Sequence, residues 1–105
     1  MARELLIDDL TKLDSKVSLK DIKHFMSIVE DNELPQVFAV ECDEGIFKFN
    51  RRRKELYLLE RFSCSYKQNR FKYPSDLHID LIIIRFMKTA KLSGYKTFYE
   101  PKFSN

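Results

Sequence analysis

Between Pro74 and Gly94 the chain carries a complete helix cassette, and no other stretch constrains the fold as strongly. Ser75 is placed to cap the first turn, Asp76 and Asp80 complement the positive helix end, and Lys88 and Lys91 complement the negative one. Gly94 supplies the left-handed residue on which helices commonly end. Within the cassette Leu77, Ile79, Leu81, Ile82, Ile83, Ile84, Phe86, Met87 and Ala90 form an apolar band too wide for an ordinary surface helix. Such a helix is expected to be buried, packed on a sheet and touched by another helix on its flank.

The sheet is supplied upstream. Residues 36–42 are rich in branched and aromatic side chains, Asp43, Glu44 and Gly45 offer turn chemistry, and residues 46–49 resume the alternation, which predicts a hairpin. Beyond Asn50 and four consecutive cations, Leu56, Leu58, Phe62, Cys64 and Tyr66 alternate with their neighbours and only Glu60 spoils the pattern. A long strand bulged near Glu60 is the expectation, with a helix over 52–62 as the competing reading because Leu56, Leu59 and Phe62 also match helical spacing. Gln68 and Asn69 separate two further alternating segments that would close another hairpin, and residues 95–99 are a candidate last strand.

At the amino-terminal end, Leu5, Leu6, Ile7, Leu10 and Leu13 recur at helical spacing over residues 4–13. Ser18 followed by Asp21 is close to a capping box and predicts a second helix with Leu19, Ile22, Phe25, Met26 and Val29 buried, ending before Pro35. The predicted fold is therefore α+β in one domain spanning 1–105: two N-terminal helices, an antiparallel meander of three to four strands, the buried C-terminal helix, and a short last strand. The α-β-β-β-α order within it is also used by double-stranded RNA-binding domains. Their basic motif at the start of the last helix is replaced here by Asp76, Leu77 and His78, so no membership follows.

Hydrophobic residues at 44% and charged residues at 33% exclude a disordered chain. The longest apolar run is Leu81 to Ile84, far short of the roughly 20 residues that span a bilayer, and acids interrupt the first ten residues where a secretory signal would be apolar. A cytoplasmic protein that does not enter membranes is expected. Cys42 and Cys64 lack CxxC spacing and read as reduced thiols, with a cross-strand disulfide as the lesser alternative, and with His24 and His78 scattered they do not compose a zinc site. Abundant Lys, Ile, Phe and Asn with only two glycines and no tryptophan is a bias associated with AT-rich coding, as many phages and low-GC bacteria carry.

Chemistry-bearing motifs are sparse. Two isolated glycines cannot build a phosphate-cradling loop, and Glu41, Asp43 and Lys48 flank one hairpin without an acid from a second strand to complete a metal-dependent nuclease. His78 and Asp80 point apart on a helix and form no relay. A metal-independent ribonuclease using His78 with arginines and Tyr66 or Tyr73 is a minor enzymatic reading. No catalytic residue, metal or cofactor is assigned.

The charge distribution is the strongest functional signal. Residues 1–45 hold eleven acids against five bases, net −6, whereas residues 46–105 hold fourteen bases against five acids, net +9. From 48 to 73 the cations Lys48, Arg51, Arg52, Arg53, Lys54, Arg61, Lys67, Arg70 and Lys72 interleave with aromatics, the residue types that grip phosphates and stack on bases. Alternation sets Phe71 and Tyr73 opposite Arg70 and Lys72, but adjacent cations in a loop project outward whatever the strand parity. The expectation is a small non-enzymatic regulator, of the kind phages and mobile elements carry, engaging nucleic acid or a nucleic-acid-handling machine through this basic loop and sheet face. The alternative is a protein inhibitor or adaptor acting through the acids Asp8, Asp9, Glu30, Asp31 and Glu33.

Overall fold

A computed structural model describes residues 11–12, 18–99 and 103–104. The elements run β1 (Thr11–Lys12), α1 (Ile22–Val29), β2 (Val37–Cys42), β3 (Gly45–Asn50), β4 (Glu55–Phe62), a 3-10 helix (Lys67–Phe71), α2 (Asp76–Leu92), β5 (Lys96–Tyr99) and β6 (Phe103–Ser104). The strands form one sheet in the order β1-β2-β3-β4-β5, with β6 also pairing β4. The class is α+β, as expected.

The expected antiparallel meander is found in β2, β3 and β4, but the sheet as a whole is mixed. β1 pairs β2 in parallel and β4 pairs both β5 and β6 in parallel. Each parallel step is made by a helical crossover, α1 on one side of the meander and α2 on the other, because a short turn cannot return the chain in the same direction. Residues 52–62 resolve to a turn and strand rather than a helix.

Two expectations about the N-terminal helices are corrected. Residues 4–10 and 13 of the first, expected over 4–13, lie outside the described residues, and Thr11 and Lys12 are strand. The second helix starts later than the capping-box pattern implied: Asp21, not Ser18, is the N-cap and accepts the His24 N–H at 3.1 Å. Ser18 is diverted, donating its hydroxyl to the Glu44 carboxylate at 2.9 Å. A fourth meander strand near residues 70–73 is also absent. β4 already has β3 on one side and β5 and β6 on the other, so no edge is left for it. Buried Asn69 instead ties the 3-10 segment down by donating to the carbonyls of Asp43 and Ser63 at 2.7 and 3.3 Å.

Both helices cover the same sheet face. Phe25 and Val29 of α1 and Ile79, Ile83, Phe86, Met87 and Ala90 of α2 close over Phe38, Val40, Cys42, Phe47, Phe49, Leu56 and Leu58. The Phe25 and Phe86 rings meet edge-to-face with centroids 4.9 Å apart, at the helix-helix seam. α2 spans its expected residues, capped by Ser75, and Gly94 follows at φ +95°. It is not buried all round: Leu77, Leu81 and Ile84, assigned to the core from sequence, are 64, 57 and 44% exposed. Among the described residues no helix is long and apolar enough to cross a membrane.

The second sheet face carries a smaller cluster of Ala39, Ile46 and Phe62, edged by Val37, Leu59 and Tyr66. A bulge creates it. Ile46 pairs with Glu60 and Phe47 with Leu58, which leaves Leu59 without a partner and reverses the parity of everything after it. Arg61 therefore enters the helix-covered layer and Phe62 the second face.

Candidate nucleic-acid interface

The β3–β4 turn is where the four consecutive cations sit, and they divide. Arg51 points inward: its guanidinium donates to the carbonyls of Asp31 (2.7 Å), Pro35 (3.1 Å) and Val29 (3.4 Å), and to that of Leu34. It also lies 5.6 Å from the Phe38 ring centre. A planar fork with five donors suits the unpaired carbonyls that trail a helix end, so Arg51 is a structural clamp on α1 rather than a ligand-seeking cation. This corrects its assignment as a binding residue.

Arg52, Arg53 and Lys54 are exposed, but the Lys54 ammonium lies 4.9 Å from the ring centre of buried Tyr95, on the helix-covered side of the sheet. The Arg53 N–H is taken by the Asn50 side chain at 3.1 Å, and its guanidinium lies 4.0 Å from Glu55. Lys54 holds φ at +55°, a left-handed conformation more usual for Gly or Asn, and its carbonyl accepts the Lys96 N–H at 2.8 Å. That bond brings the start of β5 against the turn. Arg52 has no carboxylate partner among the described residues.

Beside the turn, on the second sheet face, three side chains line up across three strands. Register sets Lys48 against Tyr57 and Tyr57 against Phe98. The Lys48 ammonium is 4.0 Å from the Tyr57 ring centre, and the Tyr57 and Phe98 rings are stacked, with centroids 4.6 Å apart and planes 13° off parallel. Tyr57 donates its hydroxyl to Glu55 at 3.2 Å. Loss of water around the phenol, then the Glu55 charge, push its pKa up, so it is neutral at physiological pH.

The other cations expected here are elsewhere. Arg61 is 1% exposed beneath the first turns of α2, its guanidinium 2.5 Å from the Asp80 carboxylate and donating to the Asp76 carbonyl at 2.5 Å. A buried cation by the positive end of a helix needs such counter-charges, and it is closed to any ligand. Lys72 pairs with Asp43 at 3.2 Å, and Arg70 lies 5.9 Å from the Phe71 ring centre on the far side of the 3-10 segment. The Lys67 side chain is outside the described residues.

Of the acids proposed for protein binding, Asp8 and Asp9 lie outside the described residues. Glu30, Asp31 and Glu33 are exposed on the turn that follows α1, where the Asp31 carboxylate accepts the Glu33 N–H at 2.9 Å. The residues named for a ribonuclease meet only in part. Tyr66 stacks on Phe62 at 4.3 Å on the second face, whereas the buried Tyr73 ring, its hydroxyl donated to Glu44, lies 6.0 Å from the ring of exposed His78. Among the described residues no three of His, Cys, Asp and Glu gather in a way that could hold a metal ion. Cys42 and Cys64 are both free, and burial raises the Cys42 thiol well above its usual range, with the nearby Glu44 charge adding to the effect.

Phe98 and Lys96 are the site residues that sequence reasoning missed. The signal was alternation in residues 95–99, but nothing local says that this strand pairs with β4 in the register that brings Phe98 onto Tyr57. Comparison with protein-family models, with curated proteins and with solved structures finds no match.

Proposed function

We propose that this chain is a small non-enzymatic binding protein that engages nucleic acid, or a machine that carries it, through the β3–β4 turn and the adjoining corner of the second sheet face. The observation that carries the reading is the juxtaposition of exposed Arg52 and Arg53 with the Lys48–Tyr57–Phe98 row, because cations beside aromatic faces are what a polyanion with planar bases requires. Lys96, exposed at the start of β5, adds a fourth cation to this corner. Glu55 is the opposing charge there, engaged by Tyr57 and Arg53.

Fluorescence anisotropy with labelled DNA and RNA at low salt tests it. Binding should weaken linearly with the logarithm of salt, and Arg52→Ala with Arg53→Ala should flatten that slope by about 0.7 to 0.9 for each phosphate no longer neutralised. Failure to bind any nucleic acid at low salt, or binding indifferent to these substitutions, removes the proposal. A second reading, an inhibitor or adaptor, draws on the exposed Glu30, Asp31 and Glu33, whose carboxylates have no cationic partner among the described residues. Its sign would be a protein captured from host extract after nuclease treatment and lost when these acids are reversed.

A further inference from the structure

We infer that the outer ring face of Phe98 is a stacking site for an unpaired base, so that the ligand of the basic corner is single-stranded rather than duplex nucleic acid. This rests on the reading of that corner as a nucleic-acid interface. Neighbouring strands lie about 4.8 Å apart, so aromatic side chains at the same level of adjacent strands stand beside each other face to face. Tyr57 and Phe98 do so at 4.6 Å, and the Lys48 ammonium closes the Tyr57 end of the row. At the other end Phe98 is 41% exposed, and among the described residues β5 is the last strand on its side of the sheet at this level.

An apolar ring at the end of such a row is completed by another flat π-surface at the same spacing, and a nucleobase supplies one. Bases within a duplex are already stacked on both sides and present only edges and phosphates, so an unpaired base is the form that fits. The charges favour this occupant over an aromatic side chain of a partner protein. Lys96 lies on the same face two residues before Phe98, about 7 Å along the strand, and its N–H is bonded to the carbonyl of Lys54 in the cationic turn. A strand stacked on Phe98 can therefore run its phosphates along Lys96 and Arg53.

The test compares three ligands of equal length on the native chain at low salt: oligothymidylate, an abasic strand with the same phosphates, and a duplex. Oligothymidylate is expected to bind about tenfold more tightly than the abasic strand, the worth of one base stacked on an aromatic ring. Phe98→Ala should erase that difference. Phe98→Trp, which gives the chain its single tryptophan, should show fluorescence quenching with oligothymidylate and not with the abasic strand. Equal affinity for thymidylate and abasic strands, with salt dependence retained, would overturn the stacking site and leave the phosphate-binding proposal standing. Absence of binding to all three would remove both.

Discussion

The guanidinium of Arg51 lies 2.7 Å from the carbonyl oxygen of Asp31, twenty residues earlier, so one member of a run of surface cations closes the end of a helix. Arg51→Ala should therefore destabilise the protein by about 2–3 kcal/mol, since several carbonyls lose a charged donor together. Arg52→Ala should change stability by less than about 0.5 kcal/mol. Arg51→Lys should rescue little, because an ammonium lacks the planar fork. Urea unfolding of the three variants separates these outcomes.

Glu44, 0% exposed, accepts from Ser18, from the Leu19 N–H at 2.9 Å and from the Tyr73 hydroxyl. Tyr73→Phe removes one donor from a buried carboxylate and should cost about 1–3 kcal/mol in thermal or urea unfolding. Burial, then the bond to Glu44, raise the Tyr73 pKa above its ordinary value. The folded value exceeds the unfolded one, so this contribution is intact below about pH 10 and is lost as pH rises through the folded value. Tyr73→Phe should accordingly show a shallower loss of stability above about pH 10, and one late-titrating phenol should vanish from its ultraviolet titration.

Asp76 has the opposite sign. The Cys64 N–H donates to its carboxylate at 2.8 Å, with Arg61 as a further, smaller influence, and its pKa is lowered. Its stabilisation is complete above the unfolded value of about 3.9 and disappears as pH falls through the folded value. Asp76→Asn should be less stable than the native chain near neutrality, and the two unfolding curves should converge in strong acid.

Removing Asp80 leaves the Arg61 guanidinium buried with its closest counter-charge gone. Asp80→Ala should cost about 2–3 kcal/mol, a figure set below that of a fully enclosed pair because Asp80 is itself a third exposed. Adding Arg61→Met should recover part of the loss, since no uncompensated charge then remains in the layer. A double-substitution cycle by urea unfolding measures the coupling.

Gly45→Ala should destabilise by at least about 2 kcal/mol in the same assay. A Cβ there would come within 2.3 Å of the Glu60 carbonyl oxygen, and neither backbone can yield without breaking the pairing beside the bulge.

What could be read from the sequence was what local rules determine. The α2 cassette, the Asp43–Glu44 turn, the strand through Leu56 and Leu58, and a bulge near Glu60 all follow from spacing and turn chemistry. Long-range pairing was not legible. Nothing near Ser18 announces that a carboxylate twenty-six residues on will take its hydroxyl, and nothing near Arg51 distinguishes it from Arg52. The apolar band of α2 was over-read because composition cannot say which side of a helix a neighbour covers, and Leu77, Leu81 and Ile84 were left uncovered. The candidate site was half visible: its cations stood out as a run, while Phe98 joined them only through the β4–β5 register.

Leu59, opposite no residue on β3, is a position whose loss the pairing of β4 can absorb. Its deletion would bring Leu58, Glu60 and Arg61 into consecutive pairing with Phe47, Ile46 and Gly45, turning the bulge into a regular ladder while Arg61 and Phe62 keep their faces. Engineered versions that lack Leu59 should therefore retain the contact between Arg61 and Asp80.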